Sequence, residues 1–79
     1  MTALLIDVVA QLEQLGHDPD VSKRVREKTG NVIAVLRENS NLAIDKALLQ
    51  LEEMESFEMT SYCRTQIWDI ASMLESLRN

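Results

Sequence analysis

The chain has 79 residues, 46% of them hydrophobic, with one Cys and a formal net charge of −5. Its length fits a single domain over residues 1–79, and one Cys excludes an internal disulfide. The negative charge argues against nucleic acid as the default partner, and no apolar run approaches the roughly 20 residues that cross a bilayer. We therefore expect a cytoplasmic protein without a membrane-spanning segment.

The first predicted helix has apolar residues three and four positions apart along one face: Leu5, Val8, Val9, Leu12 and Leu15. Gly16 follows the last of them and suits the left-handed conformation that often ends a helix. Pro19 lies three residues further on, where a helix cannot resume. The spacing therefore predicts a helix over about residues 2–15.

The second predicted helix begins after the turn, where Asp20 or Ser22 can accept a hydrogen bond from its first free amides. Its apolar spacing continues to about Glu38. Gly30 in its interior costs about 1 kcal/mol relative to Ala, so we expect some feature of the fold to compensate for it.

The segment ENSN (38–41) is the next break in the apolar pattern. The caps expected there are Asn39 for the helix before it and Ser40 or Asn41 for the helix after it. The third helix is predicted over about residues 42–56. The fourth is predicted from a cap at Thr60 or Ser61 to about Leu77, with Cys63 on its apolar face.

None of the four segments alternates with the period of a strand. Short connections favour antiparallel packing of consecutive helices. The sequence therefore predicts an all-α fold, a four-helix antiparallel up-and-down bundle.

The two halves of the chain resemble each other. QLEQLGHDPDVSKRVREKTGNVIAVL (11–36) can be laid on QLEEMESFEMTSYCRTQIWDIASML (50–74) with one residue fewer in the second turn. The pairs that then coincide include Ser22 and Thr60, Arg26 and Arg64, and Gly30 and Trp68. Two related hairpins are one interpretation, and a chance match of two amphipathic hairpins is the other. On the first interpretation, we hypothesise that the Trp68 indole fills space that a large side chain at position 30 would contest.

The closing stretch RTQIWDIASMLESLR (64–78) resembles the last helix of small archaeal proteins called uncharacterised protein family 0147 (UPF0147). The shared positions are Arg64, Thr65, Ile67, Trp68, Ile70, Leu74, Glu75, Leu77 and Arg78. AIDKALLQLEEM (43–54) and DPDV (18–21) are similar to further parts of the family pattern. The resemblance implies a compact four-helix bundle in an archaeal cytoplasm, and it implies no activity.

Three residue types that often carry chemistry occur once each. His17 is interpreted as a surface turn residue, since one His cannot supply the paired Glu-x-x-His ligands of a bundle metal site. Cys63 is interpreted as a small buried hydrophobe. Trp68 is interpreted as core or inter-helix packing, with a self-association or partner contact as the alternative. We therefore predict no catalytic residue, no cofactor and no metal ligand, and thus no enzyme.

Two charged stretches are candidate partner-contact surfaces. The basic one holds Lys23, Arg24, Arg26 and Lys28, and the acidic one holds Glu52, Glu53, Glu55, Phe57 and Glu58. The alternative for the first is a solvated helix face. For the second, the alternative places Met54 and Met59 in the core, with Phe57 closing the open end of the bundle.

The expected function is a small non-enzymatic interaction or structural module. It would dock an unknown macromolecular partner on one of the two charged surfaces, or pair with itself as a homodimer. One alternative is an RNA- or ribosome-associated factor that uses the basic run Lys23–Lys28. A small ligand-binding bundle is a further alternative, weakened because the sequence lacks a nucleophile–base pair and a phosphate-binding Gly loop.

Overall fold

The computed structural model describes residues 3–38, 40 and 42–78. Within these residues the chain forms four α-helices and no strand, as predicted. The elements are α1 (Ala3–His17), α2 (Lys23–Arg37), α3 (Ala43–Glu53), a 3-10 turn (Met54–Ser56) and α4 (Ser61–Arg78). Each helix packs against the next, and α4 returns to pack against α1. The four-helix antiparallel bundle is therefore confirmed.

The apolar stripes of the four helices meet in one core. The completely or almost completely buried side chains include Val8, Leu12, Val25, Val32, Leu36, Leu51, Met54, Ile70 and Leu74. Each such side chain contributes about 1.5–3 kcal/mol relative to an exposed one. Met59 and Phe57 are half-buried against this core, and Met54 lies inside it.

The two even-numbered helices begin with the same kind of cap. The Ser22 hydroxyl accepts a hydrogen bond from the Val25 amide at 3.2 Å. The Thr60 hydroxyl accepts one from the Cys63 amide at 3.1 Å. A hydroxyl at this position satisfies an amide that has no partner within the helix. Of the predicted cap candidates, the structure therefore uses Ser22 and Thr60, which coincide in the repeat.

Arg26 ties the start of α2 to the turn before it. Its Nε donates to the Gly16 carbonyl at 2.9 Å. Its Nη2 donates to the carbonyls of Asp18 at 3.3 Å and Val21 at 3.2 Å. Carbonyls at the end of a helix and in a turn lack helical partners, so the guanidinium satisfies groups that the fold would otherwise leave to water.

Arg64 repeats this arrangement in the second hairpin. Its Nη1 donates to the Glu55 carbonyl at 3.1 Å and its Nη2 to the Phe57 carbonyl at 3.3 Å. Arg26 and Arg64 coincide in the sequence repeat. The cap and the arginine together show that the two hairpins are built alike.

The first helix does not end where the sequence predicts. Gly16 lies inside α1, which continues to His17, so the expected left-handed cap at Gly16 is wrong. The glycine is instead a point of close approach, because an added Cβ would lie 3.1 Å from the Thr29 hydroxyl of α2. The short side chain is therefore explained by packing of α1 on α2.

The start of α3 also differs from the prediction. Asn39 and Asn41 lie outside the described residues. Leu42 occupies the cap position without a side-chain hydrogen bond. The Ala43 amide donates to the backbone carbonyl of Ser40 at 3.1 Å, so Ser40 uses its carbonyl and not its hydroxyl.

The interpretation of Trp68 as a core residue is wrong. Its side chain is 55% exposed, whereas Ile67 and Ile70 beside it are buried. Successive helical residues are about 100° apart, which turns Trp68 past the edge of the stripe that these isoleucines occupy. Gly30 is exposed too, and an added Cβ there would meet no atom within 4 Å. The hypothesis that the two positions contest one volume is therefore also wrong.

Candidate functional site

The two charged stretches meet at one end of the bundle. We call it the turn end, formed by residues 18–22 and 57–60 with the helix ends beside them. The Lys28 Nζ of α2 lies 2.8 Å from the Glu53 Oε2 of α3. The Arg24 guanidinium lies over the Phe57 ring, 4.0 Å from its centroid. The basic and acidic candidates therefore adjoin at this end of the bundle, and contacts between them neutralise part of their charge.

Most of the basic candidates are already engaged within the chain. Lys28 is paired, and its side chain is only 18% exposed. Arg26 donates to the first turn and Arg24 stacks on Phe57. In the part of the chain that the structure describes, Lys23 is the remaining member, exposed and without a hydrogen bond or ion pair. One such cation is little basis for a phosphate-binding surface.

The acidic candidates divide between two sides of α3. Glu53 faces α2, where it pairs with Lys28. Glu58 is exposed in the turn. Glu52 and Glu55 border the space between α3 and α4, and within the described residues neither carboxylate has a cationic partner. The acidic surface thus continues away from the turn end into a second groove.

The turn end holds a shallow groove of about 690 Å³ between the two turns. It is bordered by Val21, Phe57, Met59 and Arg64, with the buried Cys63 at its base. Burial raises the pKa of the Cys63 thiol above its ordinary value of 9.0, and Asp18 adds to this while Arg64 opposes it. A nucleophilic thiol is accessible and has a lowered pKa, so the burial of Cys63 and its raised pKa are both opposite to that requirement.

A second groove lies between α3 and α4, and we call it the indole groove. Its volume is about 340 Å³. The residues that define it are Leu48, Glu52, Glu55, Trp68, Ala71 and Glu75. Arg78 lies at its edge, where its Nη1 is 3.4 Å from the Asp45 Oδ1. The groove combines an apolar floor, one exposed indole and three carboxylates.

The equivalent space in the first hairpin is arranged differently. Glu13 corresponds to Glu52, and there the Glu13 Oε1 is paired with the Arg37 Nη2 of α2 at 3.1 Å. Arg37 corresponds to Glu75, one residue beyond the aligned segment. Gly30 stands where α4 has Trp68. Where the second hairpin has the carboxylates of Glu52 and Glu75, the first therefore has a salt bridge. Where the second has the Trp68 indole, the first has a glycine.

Sequence reasoning missed the indole groove as a site. It named Glu52 and Glu55 as contact residues, but it preferred packing to a partner contact for Trp68 and did not name Glu75 as a contact residue. The repeat contained a signal for this site. Gly30 and Trp68 are the aligned pair with the largest difference in side-chain volume between the two hairpins.

The structure also locates the residues considered for metal binding. His17 is exposed at the end of α1, and Cys63 is buried as predicted. Among the described residues, no three His, Cys, Asp or Glu side chains are grouped so that they could hold a metal ion.

Comparison with known proteins establishes the family. The model of the uncharacterised protein family UPF0147 matches residues 1–77. The chain belongs to this family. The resemblance drawn from the closing helix is thereby confirmed, and the description of UPF0147 names no activity. Comparison with curated proteins and with solved structures gave no match.

No helix in residues 3–38 and 42–78 is both long and apolar enough to cross a bilayer.

Proposed function

We propose that this UPF0147 chain is a non-enzymatic interaction module that docks a partner protein on the indole groove. The observation that carries the proposal is the position of Trp68, 55% exposed at the wall of a groove. Tryptophan is enriched among the residues that dominate binding energy at protein interfaces. An exposed indole beside an apolar floor is therefore well suited to bury surface on a partner.

The proposed docking surface includes part of the acidic surface predicted from the sequence, but its centre is Trp68. Glu52 and Glu55 remain in it, on the border of the groove. The basic run is a weaker candidate, because Arg24 and Lys28 are engaged with Phe57 and Glu53. The same engagement makes an RNA- or ribosome-associated role the second choice.

A catalytic role for Cys63 at the turn end is also less well supported than docking on the indole groove. The thiol of Cys63 is buried and its pKa is raised, which is opposite to the requirement of a nucleophile. A buried thiol that stays reduced fits a cytoplasmic location, and we include that location in the proposal.

The test is affinity capture from native lysate with two matched variants. Trp68→Gln removes the indole, and Tyr62→Gln removes the other strongly exposed aromatic side chain of α4, which borders α1 instead. We expect Trp68→Gln to lose a protein that both the wild type and Tyr62→Gln retain. Capture unchanged in Trp68→Gln but lost on charge reversal of Lys23 and Arg24 would reject the indole groove in favour of the turn end.

A further inference from the structure

We infer that the indole groove takes a basic segment of a partner protein, with an arginine or lysine side chain lying against the face of Trp68. The inference rests on the proposed function and specifies the chemistry of its partner. Neighbouring cations of the segment would lie against Glu52, Glu55 and Glu75. Three features of the molecule support it: the charge of the groove, the exposed indole, and the different side chains at the equivalent positions of the first hairpin.

The charge of the groove selects a cationic partner. Within the described part of the chain, the carboxylates of Glu52, Glu55 and Glu75 have no hydrogen-bond or ion-pair partner. Arg78 is the one cation among the groove residues, and its charge is offset by Asp45 at 3.4 Å. The groove therefore presents uncompensated negative charge on a chain whose net charge is already −5. Complementary charge steers association and suppresses wrong partners.

The indole favours a cation at the same place. Tryptophan is the aromatic side chain whose face attracts a guanidinium or ammonium group most strongly. The chain already uses this kind of contact at the turn end, where Arg24 lies 4.0 Å from the centroid of the Phe57 ring. No described cation of this chain occupies the face of Trp68, so the equivalent contact is left for a partner.

The first hairpin shows that folding does not require these groups. At the equivalent positions it has Gly30 and the salt bridge between Glu13 and Arg37, at 3.1 Å. The second hairpin folds with Glu52 and Glu75 there, two like charges on the sides of one groove. Like charges that line one groove repel each other, and a bound cation offsets this repulsion.

The size and charge of the groove further restrict which molecules could occupy it. Its volume of about 340 Å³ is at the lower end of the range of small-molecule pockets, so it suits a few side chains of a segment. A second copy that paired groove to groove would bring the same carboxylates together. An acidic or a purely apolar segment would leave the three carboxylates without counter-charge.

The experiment uses the full chain and a synthetic probe. The probe is a twelve-residue peptide with Arg at every third position and Ser or Ala between. A matched peptide carries Glu in place of Arg. Trp68 is the only tryptophan, so its fluorescence reports directly on the groove. We expect saturable binding of the Arg peptide that weakens as salt is raised, and none of the Glu peptide.

Two charge-matched variants separate the groove from the overall charge of the chain. Glu52→Gln/Glu75→Gln removes two carboxylates inside the groove, and Glu27→Gln/Glu38→Gln removes two exposed ones on the α2 side of the bundle. The first variant loses two exposed ion pairs with the peptide, so it should bind the Arg peptide about two- to thirtyfold more weakly, with about sevenfold at the centre of that range. The second should bind within about twofold of the wild type, and circular dichroism should show both folded.

Three results would overturn the inference. They are equal weakening in the two double variants, equal binding of the Glu peptide, and no binding of the Arg peptide. A dimer in light scattering that Trp68→Gln abolishes would make a second copy the occupant instead. The inference and the proposed function can fail independently. If Trp68→Gln still loses a captured protein while the Arg peptide does not bind, the proposed function stands and the inference fails, because the groove then docks a partner of other chemistry.

Discussion

Trp68 and Ile70 lie two residues apart in α4, and replacing each by Gln should have very different effects on stability. Trp68 is 55% exposed and Ile70 is 0% exposed. A fully covered Trp buries up to about 250 Å², so its covered fraction here amounts to roughly 110 Å². At about 25 cal/mol per Å² this gives an upper bound near 3 kcal/mol. The aliphatic part of Gln and residual burial in the unfolded chain reduce the expected loss to about 1–2 kcal/mol.

Ile70→Gln should lower the free energy of unfolding by about 3–6 kcal/mol. It loses the burial of a whole aliphatic side chain, about 1.5–3 kcal/mol, and it places an amide where no partner is available, about 1–3 kcal/mol more. The assay is urea denaturation followed by far-ultraviolet circular dichroism, because Trp68→Gln removes the fluorescent reporter. A 79-residue domain has roughly 4–12 kcal/mol in total, so Ile70→Gln should be largely unfolded at moderate urea.

The result that would refute this reasoning is a loss of 3 kcal/mol or more for Trp68→Gln, or losses that are equal in the two variants. Either would mean that the indole is covered in solution. Dependence of the urea midpoint on protein concentration would identify the cover as a second copy, since association stabilises by mass action.

Three further results are expected from the same assay. Gly30→Ala should raise stability by about 0.5–1 kcal/mol, because the new Cβ meets no atom within 4 Å and Ala is the better helix former; a loss would contradict the open space there. Arg26→Met and Arg64→Met should each lower stability by about 1–2 kcal/mol, because each leaves turn carbonyls without donors. Arg24→Met removes only a stacking contact and should lower stability less. The raised pKa of Cys63 means that the folded state holds the thiol proton more tightly than the unfolded state does. Its contribution to stability is therefore complete below the ordinary value of 9.0 and lost as pH rises through the folded pKa; Cys63→Ala should show a smaller loss over that range, and identical pH profiles would contradict the assignment.

The parts of the fold that the sequence predicts well depend on local interactions. The helical period of the apolar residues follows from side-chain geometry within one helix. The caps at Ser22 and Thr60 act within three residues of themselves. Gly16 shows where local signals mislead, because the glycine that suits a helix end is retained for the approach of Thr29 from another helix. The pairing of Lys28 with Glu53 also lay beyond prediction, since it depends on the register of α2 against α3.

Trp68 shows why the candidate site was harder to predict than the fold. Hydrophobic periodicity places it at the edge of an apolar stripe, and its size and hydrophobicity suit either a core or an exposed contact. Comparison of the two hairpins distinguishes residues that serve the common fold from residues that are free to make an exposed contact. Both hairpins have a hydroxyl cap and an arginine that ties the turn, so these features serve the common fold. Among the described residues, the exposed indole and the two unpaired carboxylates at these groove positions belong to the second hairpin, and the first hairpin folds with Gly30 and a salt bridge there. A feature that one of two equivalent hairpins lacks is not needed to make the hairpin, and its role must be sought in what the groove contacts.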